Sequence, residues 1–300
     1  MKKIIFPLLL FIFCGCSLKT VKTDFFAMDT FMSISLSGSE QDAEAAEDEI
    51  KRLDKLLRYD SIDISNAETK HLIDFSNKVS RFTDGAFDIT VAPLMELWGF
   101  RDKNYTVPDE ASVTDALKKV GYDKISDMTG YDFGAVGKGY AGDMACEKLI
   151  SRGVTSAILS LGGNIHAIGT KPDGKKWRVG IQNPDGEGYI GYVEVENKAV
   201  VTSGGYERYF ESDGKRYSHI INPKTGYPAQ NDIKSVTVIC EKGALADVLS
   251  TGFFVMGSEK TMELCKKSGN KFNGTDFSVI IIKTNGETVS AGNTELKKER

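Results

Sequence analysis

Helical and strand patterns occupy largely different parts of this chain, and their segregation is what most constrains its fold. Apolar residues recur at helical spacing through most of the first half, whereas short β-branched and aromatic runs dominate from residue 157 onwards. Partial segregation of this kind favours an α+β fold over a doubly wound sheet. The predicted helices cover 39–58, 68–82, 109–120, 138–152, 244–256 and 258–267. The predicted strands cover 25–36, 157–161, 177–182, 189–195, 200–203, 217–221 and 234–239, before a hairpin that turns at Asn285 and Gly286.

The composition is that of one globular domain. The chain has 300 residues, 41% of them apolar, and a formal net charge of −4. It has no internal repeat and no low-complexity linker, so we predict a single folded unit over 21–300. Because no basic cluster is interleaved with aromatic side chains, nucleic acid is not expected as a partner.

The N-terminus has the features of a bacterial lipoprotein signal peptide. Lys2 and Lys3 precede an apolar run over 4–13, which is too short for a stable membrane span. Gly15 and Cys16 then resemble a lipobox, in which Cys16 becomes the acylated N-terminus. We therefore expect a signal peptide over 1–15, an anchor linker over 16–20, and an exported protein that is lipid-anchored to a bacterial membrane and faces the periplasm or the cell exterior. Ordinary secretion with cleavage elsewhere is the alternative.

A histidine stands beside a strand that leads into a rigid loop. His219 is one of three histidines, the β-branched run after it ends at Pro223, and a Lys-Thr-Gly turn follows over 224–226. A side chain that can exchange a proton near neutral pH is thereby predicted at a strand end, where catalytic residues often lie. Taken alone, a histidine in this position is more often structural.

A glycine-rich segment over 132–140 suits an anionic ligand. Gly134, Gly137 and Gly139 let the backbone approach a ligand closely, and the helix that follows points its first amides at the loop. Lys138 adds a positive charge there. The spacing matches neither a Walker loop nor a dinucleotide fingerprint, and a plain strand-to-helix connection is the alternative.

The predicted helix over 244–256 carries two oxygen ligands on one face. Asp247 and Thr251 are four residues apart and therefore lie about one turn from each other. Oxygen-only ligands suit a hard cation such as Mg²⁺. The alternative is an Asp that stabilises a helix start and a Thr that bonds back to its own helix.

Together with several other motifs, these segments resemble in order those of the ApbE-type FAD:protein FMN transferases. The likeness extends from about residue 26 to about residue 257. It implies a two-lobed ApbE-like (T-fold-like) α+β domain with the active site in the cleft between the lobes. The motifs are 27–31 (Ala-Met-Asp-Thr-Phe), 85–94 (Gly-Ala-Phe-Asp-Ile-Thr-Val-Ala-Pro-Leu), 97–100, 132–140, 161–165, 202–206, 218–228 and 246–251.

The resemblance also implies roles for the residues that match these motifs. His219 is the expected catalytic base. The expected Mg²⁺ ligands are Asp247, Thr251, the backbone carbonyl of Ala135 and, as a further ligand, Ser250. The residues expected to bind FAD are Met28, Ala86, Phe87, Asp88, Asp132, Lys138 and Ile221.

The implied activity is Mg²⁺-dependent transfer of FMN from FAD to a threonine hydroxyl of an acceptor flavoprotein. The product is a phosphoester, AMP is released, and the expected acceptor is a respiratory Rnf- or Nqr-type subunit or a similar protein. A Mg²⁺-dependent FAD pyrophosphatase that yields FMN and AMP is one alternative. A non-enzymatic flavin-binding lipoprotein is the other, and His219, Asp247 and Thr251 argue against it because binding alone needs no general base.

Overall fold

The computed structural model describes residues 19–124 and 130–298. The α-helices in these ranges are α1 (Glu40–Leu56), α2 (Ala67–Phe82), α3 (Ala92–Leu97), α4 (Glu110–Leu117), α5 (Gly137–Ser151), α6 (Gly243–Met256) and α7 (Ser258–Ser268), and a 3₁₀-helix, Ile89–Val91, precedes α3. The strands are β1 (Thr20–Ala27), β2 (Thr30–Ser37), β3 (Ala157–Leu161), β4 (Asn164–Ile168), β5 (Trp177–Gln182), β6 (Tyr189–Val195), β7 (Lys198–Gly204), β8 (Tyr209–Ser212), β9 (Lys215–Ser218), β10 (Ile233–Cys240), β11 (Lys271–Phe272), β12 (Thr275–Lys283) and β13 (Thr288–Ala291).

The described strands form one large antiparallel sheet and two small ribbons. The large sheet has nine strands, in the order β1-β2-β3-β4-β7-β10-β12-β11, with β13 paired to β12. β5 pairs with β6 and β8 pairs with β9 as separate two-stranded ribbons. Helices and strands therefore form distinct layers, and the predicted α+β class is confirmed.

The middle of the large sheet is buried on both faces. In β7, Val200 and Val201 point to opposite sides, since side chains alternate along a strand. Val201 packs in an apolar cluster with α6 residues such as Leu249, whereas Val200 packs with Val179 of the β5–β6 ribbon. The sheet thus lies between a helical layer and a ribbon, and α6 is held in the core of the molecule.

The predicted strand over 25–36 is wrong, because the chain reverses within it. β1 and β2 pair as a hairpin in which Phe26 lies opposite Phe31. Met28 and Asp29 form the turn with φ angles of +48° and +58°. Left-handed backbone costs a non-glycine residue about 1–2 kcal/mol. Of the two residues, only Asp29 is of a type that commonly occurs in such turns. Residues 25–28 are all apolar and alternation begins only at residue 32, so periodicity did not locate the turn.

Helix α1 shows how local sequence fixes an element's start. Ser39 is its N-cap, and the Ser39 hydroxyl accepts the N–H of Asp42 at 3.2 Å. The carboxylate of Asp42 accepts the N–H of Ser39 at 3.0 Å in return, which completes a capping box. The buried stripe of Ala43, Ala46, Ile50 and Leu53 then faces the core. The predicted helix over 39–58 is confirmed to within two residues at its C-terminal end.

Helices α5 and α6 cross at glycine residues. A Cβ atom on Gly139 would overlap the carbonyl oxygen of Gly243, so the two backbones meet closer than any side chain would allow. α6 also packs against β7 and β10 of the large sheet. This crossing brings the glycine-rich segment next to the helix that carries Asp247 and Thr251.

The predicted signal peptide and Cys16 lie outside the described residues. β1 begins at Thr20, one residue before the predicted start of the folded domain. Among the helices in 19–124 and 130–298, none has the length and apolar character needed to cross a membrane.

Candidate active site

Asp247 links α6 to the start of α5. Its side chain is buried, and the backbone N–H of Gly139 donates to its Oδ2 at 2.9 Å. Thr251 lies one turn further along α6, with its hydroxyl 3.2 Å from that of Ser203 on β7. The hypothesis that Asp247 and Thr251 share a helix face therefore fits the structure, and the Gly139 amide engages only the Oδ2 atom of the Asp247 carboxylate.

The donor set at this position suits a hard cation. No group of three or more His, Cys, Asp or Glu side chains that could hold a metal occurs within the described parts of the chain. Mg²⁺ does not need such a group, because proteins usually bind it through one or two carboxylates together with substrate phosphates and water. One carboxylate (Asp247) and one hydroxyl (Thr251) fit that pattern, and the Ala135 carbonyl, from the glycine-rich segment that leads into α5, remains the predicted backbone ligand.

Ser250 is placed differently from Thr251. Its side chain is fully buried, donates to the carbonyl of Asp247 at 2.9 Å and lies 2.8 Å from the Ser203 hydroxyl. The first bond lies within α6, and the contact with Ser203 ties α6 to β7. The structure gives the Ser250 hydroxyl a part in this network, and its predicted role as a metal ligand remains a prediction.

Hydrogen bonds and an ion pair stabilise the start of the glycine-rich segment. The N–H of Asp132 donates to Ile89 O at 2.7 Å, and the Asp132 carboxylate accepts the N–H of Gly134 at 2.8 Å. Arg101 pairs with the same carboxylate at 3.4 Å and donates to Tyr131 O at 3.0 Å. The carboxylate of Asp132 therefore stabilises the conformation of the loop. Its contact with FAD remains a prediction.

His219 lies just beyond a strand rather than within one. β9 ends at Ser218, so the predicted strand over 217–221 is wrong in its C-terminal part, although Ile221 forms an isolated bridge with Pro228. The Nδ1 atom of His219 is 2.9 Å from the carbonyl oxygen of Arg208. A carbonyl can only accept, so Nδ1 carries the hydrogen and the neutral ring keeps Nε2 as a proton acceptor.

The surroundings of His219 keep it uncharged. Burial lowers the pKa of its imidazole to about 4, and the positive charge of Lys138 acts in the same direction. The ring is therefore neutral at physiological pH. This is the protonation state that a general base requires.

Glu207 belongs to the same group of charges and was not predicted from the sequence. Although part of the side chain is open to solvent, burial raises the pKa of its carboxyl to about 7, Lys138 opposes this increase, and Asp247 adds to it. We call Lys138, Glu207, His219 and Asp247 the cleft cluster, because Lys138 lowers the pKa of both Glu207 and His219 and Asp247 raises the pKa of Glu207. The only sequence signal for Glu207 is that it directly follows the 202–206 motif.

The remaining predicted FAD contacts lie mostly in the core. Ala86, Phe87 and Ile221 are buried. Phe87 packs against α6, because a Cβ atom added to Gly252 would lie 3.2 Å from the Cβ atom of Phe87. Met28 packs against a different apolar cluster, beside α1 and α5. The structure thus brings Phe87 next to the helix of Asp247 and places Met28 at the tip of the β1–β2 hairpin.

Asp88 is also buried and has local partners. Its Oδ1 accepts both the N–H of Thr90 at 2.8 Å and the Thr90 hydroxyl at 2.7 Å, which caps the 3₁₀-helix. Burial raises the pKa of the Asp88 carboxyl despite these bonds. Its expected contact with FAD remains a prediction.

The imidazoles of His219 and His166 are expected to stay neutral as the pH falls through about 6. Burial lowers the pKa of each to about 4, whereas an unperturbed imidazole titrates near about 6.5. Ring NMR signals recorded between about pH 5 and 8 measure this directly, with a His219→Ala sample for assignment. A titration of the His219 ring centred at about 6.5 would contradict the assignment of a neutral base with a lowered pKa.

The overall structure is similar to those of solved flavin transferases. It matches the crystal structure of an ApbE protein from Thermotoga maritima with a TM-score of 0.80 and 32% sequence identity, covering 90% of this chain and 96% of that one. It matches the flavinyl transferase ApbE of Pseudomonas stutzeri with a TM-score of 0.74 and 29% identity, covering 91% and 94% of the two chains. The fold is therefore that of the ApbE flavin transferase class.

The sequence comparison agrees with the fold. The ApbE family model matches residues 28–273, and this chain belongs to the ApbE family. It is 33% identical over 243 residues to the FAD:protein FMN transferase of Haemophilus influenzae, covering 74% of this chain and 68% of that protein. It is 35% identical over 240 residues to the FAD:protein FMN transferase of Klebsiella pneumoniae, covering 70% and 74% respectively. The resemblance inferred from the motifs is confirmed.

Proposed function

We propose that this protein is an enzyme that transfers FMN from FAD to a threonine hydroxyl of an acceptor protein. The observation that carries the proposal is the state of His219, whose Nδ1–H is bonded to Arg208 O and whose Nε2 is left as a neutral base. Phosphoryl-type transfer depends on positioning and charge stabilisation, which the cleft cluster and the glycine-rich segment can supply. The names of the relatives support the same activity.

In the proposed reaction, His219 accepts the proton of the threonine hydroxyl. The threonine oxygen forms a bond to the FMN phosphorus, the bond from that phosphorus to the bridging oxygen breaks, and the electron pair leaves with AMP. Lys138 offsets the negative charge of the phosphates. Asp247, Thr251 and the Ala135 carbonyl would hold Mg²⁺, and the bound ion would supply Lewis-acid polarisation of the pyrophosphate. The product is a threonine–FMN phosphoester.

The test separates transfer from hydrolysis. The protein is expressed with an acceptor flavoprotein of the respiratory Rnf or Nqr type, and the acceptor is examined by mass spectrometry for added FMN. We expect the addition with the native acceptor and none when its target threonine is replaced by valine. Release of free FMN and AMP with no modified acceptor would instead favour the pyrophosphatase, in which water takes the place of threonine. Bound FAD without turnover would favour a non-enzymatic flavin-binding protein.

We further propose that the protein is exported and anchored to a bacterial membrane through an acylated Cys16. The proposal rests on Lys2, Lys3, the apolar run over 4–13 and the Gly15-Cys16 pair. The full-length protein is expected to fractionate with membranes and to carry lipid on Cys16, and Cys16→Ser is expected to lose that lipid. Recovery of the unsubstituted protein in the soluble fraction with an unmodified Cys16 would rule the anchor out.

A further inference from the structure

Two helices of the site cap each other through a repeated sequence pattern. α5 contains Gly139 and Asp143, and α6 contains Gly243 and Asp247, each pair four residues apart. Gly139 N–H donates to Asp247 Oδ2 at 2.9 Å, and Gly243 N–H donates to Asp143 Oδ1 at 2.7 Å. Each helix thus supplies a glycine amide to the other helix's carboxylate. We call these four residues the reciprocal clasp.

Asp143 also supplies the N-terminal cap that α6 lacks. The residue before α6, Lys242, makes no side-chain capping bond, whereas Asp143 Oδ2 accepts the N–H of Ala244 at 2.9 Å. The first amides of α6 are therefore satisfied from α5 and not from their own segment. A carboxylate at a helix N-terminus is also favoured by the helix dipole. The start of α6 is consequently fixed relative to α5.

His166 on β4 fills the space beneath the clasp. It is 3% exposed, and its ring lies so close to Gly142 and Gly243 that a Cβ on either glycine would overlap it. Its Nδ1 is 3.7 Å from Asp143 Oδ1, and its Nε2 has no hydrogen-bond partner within the described residues. The ring therefore packs tightly between Gly142 of α5 and Gly243 of α6. This close packing constrains how the two helices cross.

We infer that Asp143 is a positioning residue that sets the register of α6 against α5 and thereby the placement of Asp247 for the cation. Asp143 is not a proposed ligand itself; it acts through the backbone of Gly243 and Ala244. The inference rests on the proposed function, since it concerns the ligands proposed there for Mg²⁺. Loss of a residue that orients a metal ligand typically weakens metal affinity by about 10–100-fold.

The test uses Asp143→Asn in the full-length protein, with Mn²⁺ as the probe ion. The amide keeps the size of the side chain but offers one acceptor oxygen in place of two, so either Gly243 or Ala244 loses its partner. Mn²⁺ affinity, measured by electron paramagnetic resonance with and without FAD, is expected to fall by about 10–100-fold. Asp143→Glu keeps both oxygens at a displaced position and is expected to give an intermediate value.

A second readout reports on the clasp directly. Hydrogen exchange of the Gly139 amide is expected to accelerate in Asp143→Asn, although Asp143 makes no bond to that amide. A cap that acts on α6 alone would accelerate exchange at Gly243 and Ala244 and leave Gly139 unchanged. That result, together with wild-type Mn²⁺ affinity in both Asp143 variants, would overturn the inference.

Asp232→Asn is the matched control. Asp232 also caps a helix from another segment, since its Oδ1 accepts the N–H of Ser258 at the start of α7 at 3.0 Å. α7 carries no proposed ligand, so this variant is expected to lose stability and keep the wild-type Mn²⁺ affinity. Asp247→Ala separates the two proposals: retained Mn²⁺ binding in that variant would refute the cation site itself, whereas loss there with full binding in Asp143→Asn would refute only the role of Asp143.

Discussion

Asp247→Ala is expected to lower Mg²⁺-dependent FMN transfer by about 10²–10⁴-fold, because metal catalysis of this kind supplies several kcal/mol of transition-state stabilisation. Asp247 is the one carboxylate among the predicted ligands Asp247, Thr251, Ser250 and the Ala135 carbonyl. Transfer rates measured over a range of Mg²⁺ concentrations check the prediction. Full activity of the variant at ordinary Mg²⁺ concentration would contradict the assignment.

The structure shows why alanine alone is not a sufficient test at this position. Removing the carboxylate also leaves the buried N–H of Gly139 without its partner, a loss of about 1–3 kcal/mol of stability. Asp247→Asn keeps an oxygen that can accept this N–H but removes the negative charge. It is therefore expected to retain most of the stability and to be as inactive as the alanine variant. An active Asn variant would show that the charge is not needed.

His219→Ala is expected to lower the rate of FMN transfer by about 10²–10⁴-fold, the usual contribution of a general base. A threonine hydroxyl is a poor nucleophile until its proton is removed, whereas binding of Mg²⁺ and FAD depends on other residues. FAD affinity is therefore expected to stay close to that of the wild type. Affinity, melting temperature and single-turnover transfer measured on one preparation give the comparison.

A structural histidine would give a different result at this position. Loss of a merely packed ring would lower the melting temperature and weaken FAD binding and turnover together. His71→Ala is the control, because His71 is exposed on α2 and has no proposed role in the site. It is expected to leave all three quantities unchanged. Transfer at the wild-type rate in His219→Ala would remove the base from the mechanism.

The elements that the sequence predicted well are those with local signals. α1 has its capping box at Ser39, and the β12–β13 hairpin has Asn285 and Gly286 at its turn. β4 and β8 are short and carry no clear alternation, so they were missed. The turn at Met28 and Asp29 was missed because neither residue is glycine or asparagine. In each case the pairing of neighbouring strands, which a local pattern does not contain, decides the structure.

The same distinction applies to the site. His219 could be identified as a candidate because it lies beside a strand that leads into a rigid loop. Asp247 and Thr251 could be identified because a spacing of four residues places them on one face of a helix. The carbonyl of Arg208, which fixes the tautomer of His219, is a backbone group and has no sequence signature. Asp143 meets Gly243 across 100 residues of chain, and only the crossing of α5 and α6 brings them together.

The edge strand β1 leaves only a short tether between the folded protein and the bilayer under the proposed acylation of Cys16. Thr20, where β1 begins, is four residues beyond Cys16, a reach of at most about 14 Å. The eight residues of β1 then extend about 26 Å to the hairpin turn at Met28. Because β1 is hydrogen-bonded into the nine-stranded sheet, the strand itself does not extend or bend freely. Under that anchor the Met28 turn lies within about 40 Å of the membrane surface, and the sheet to which β1 is paired is held near the bilayer with it.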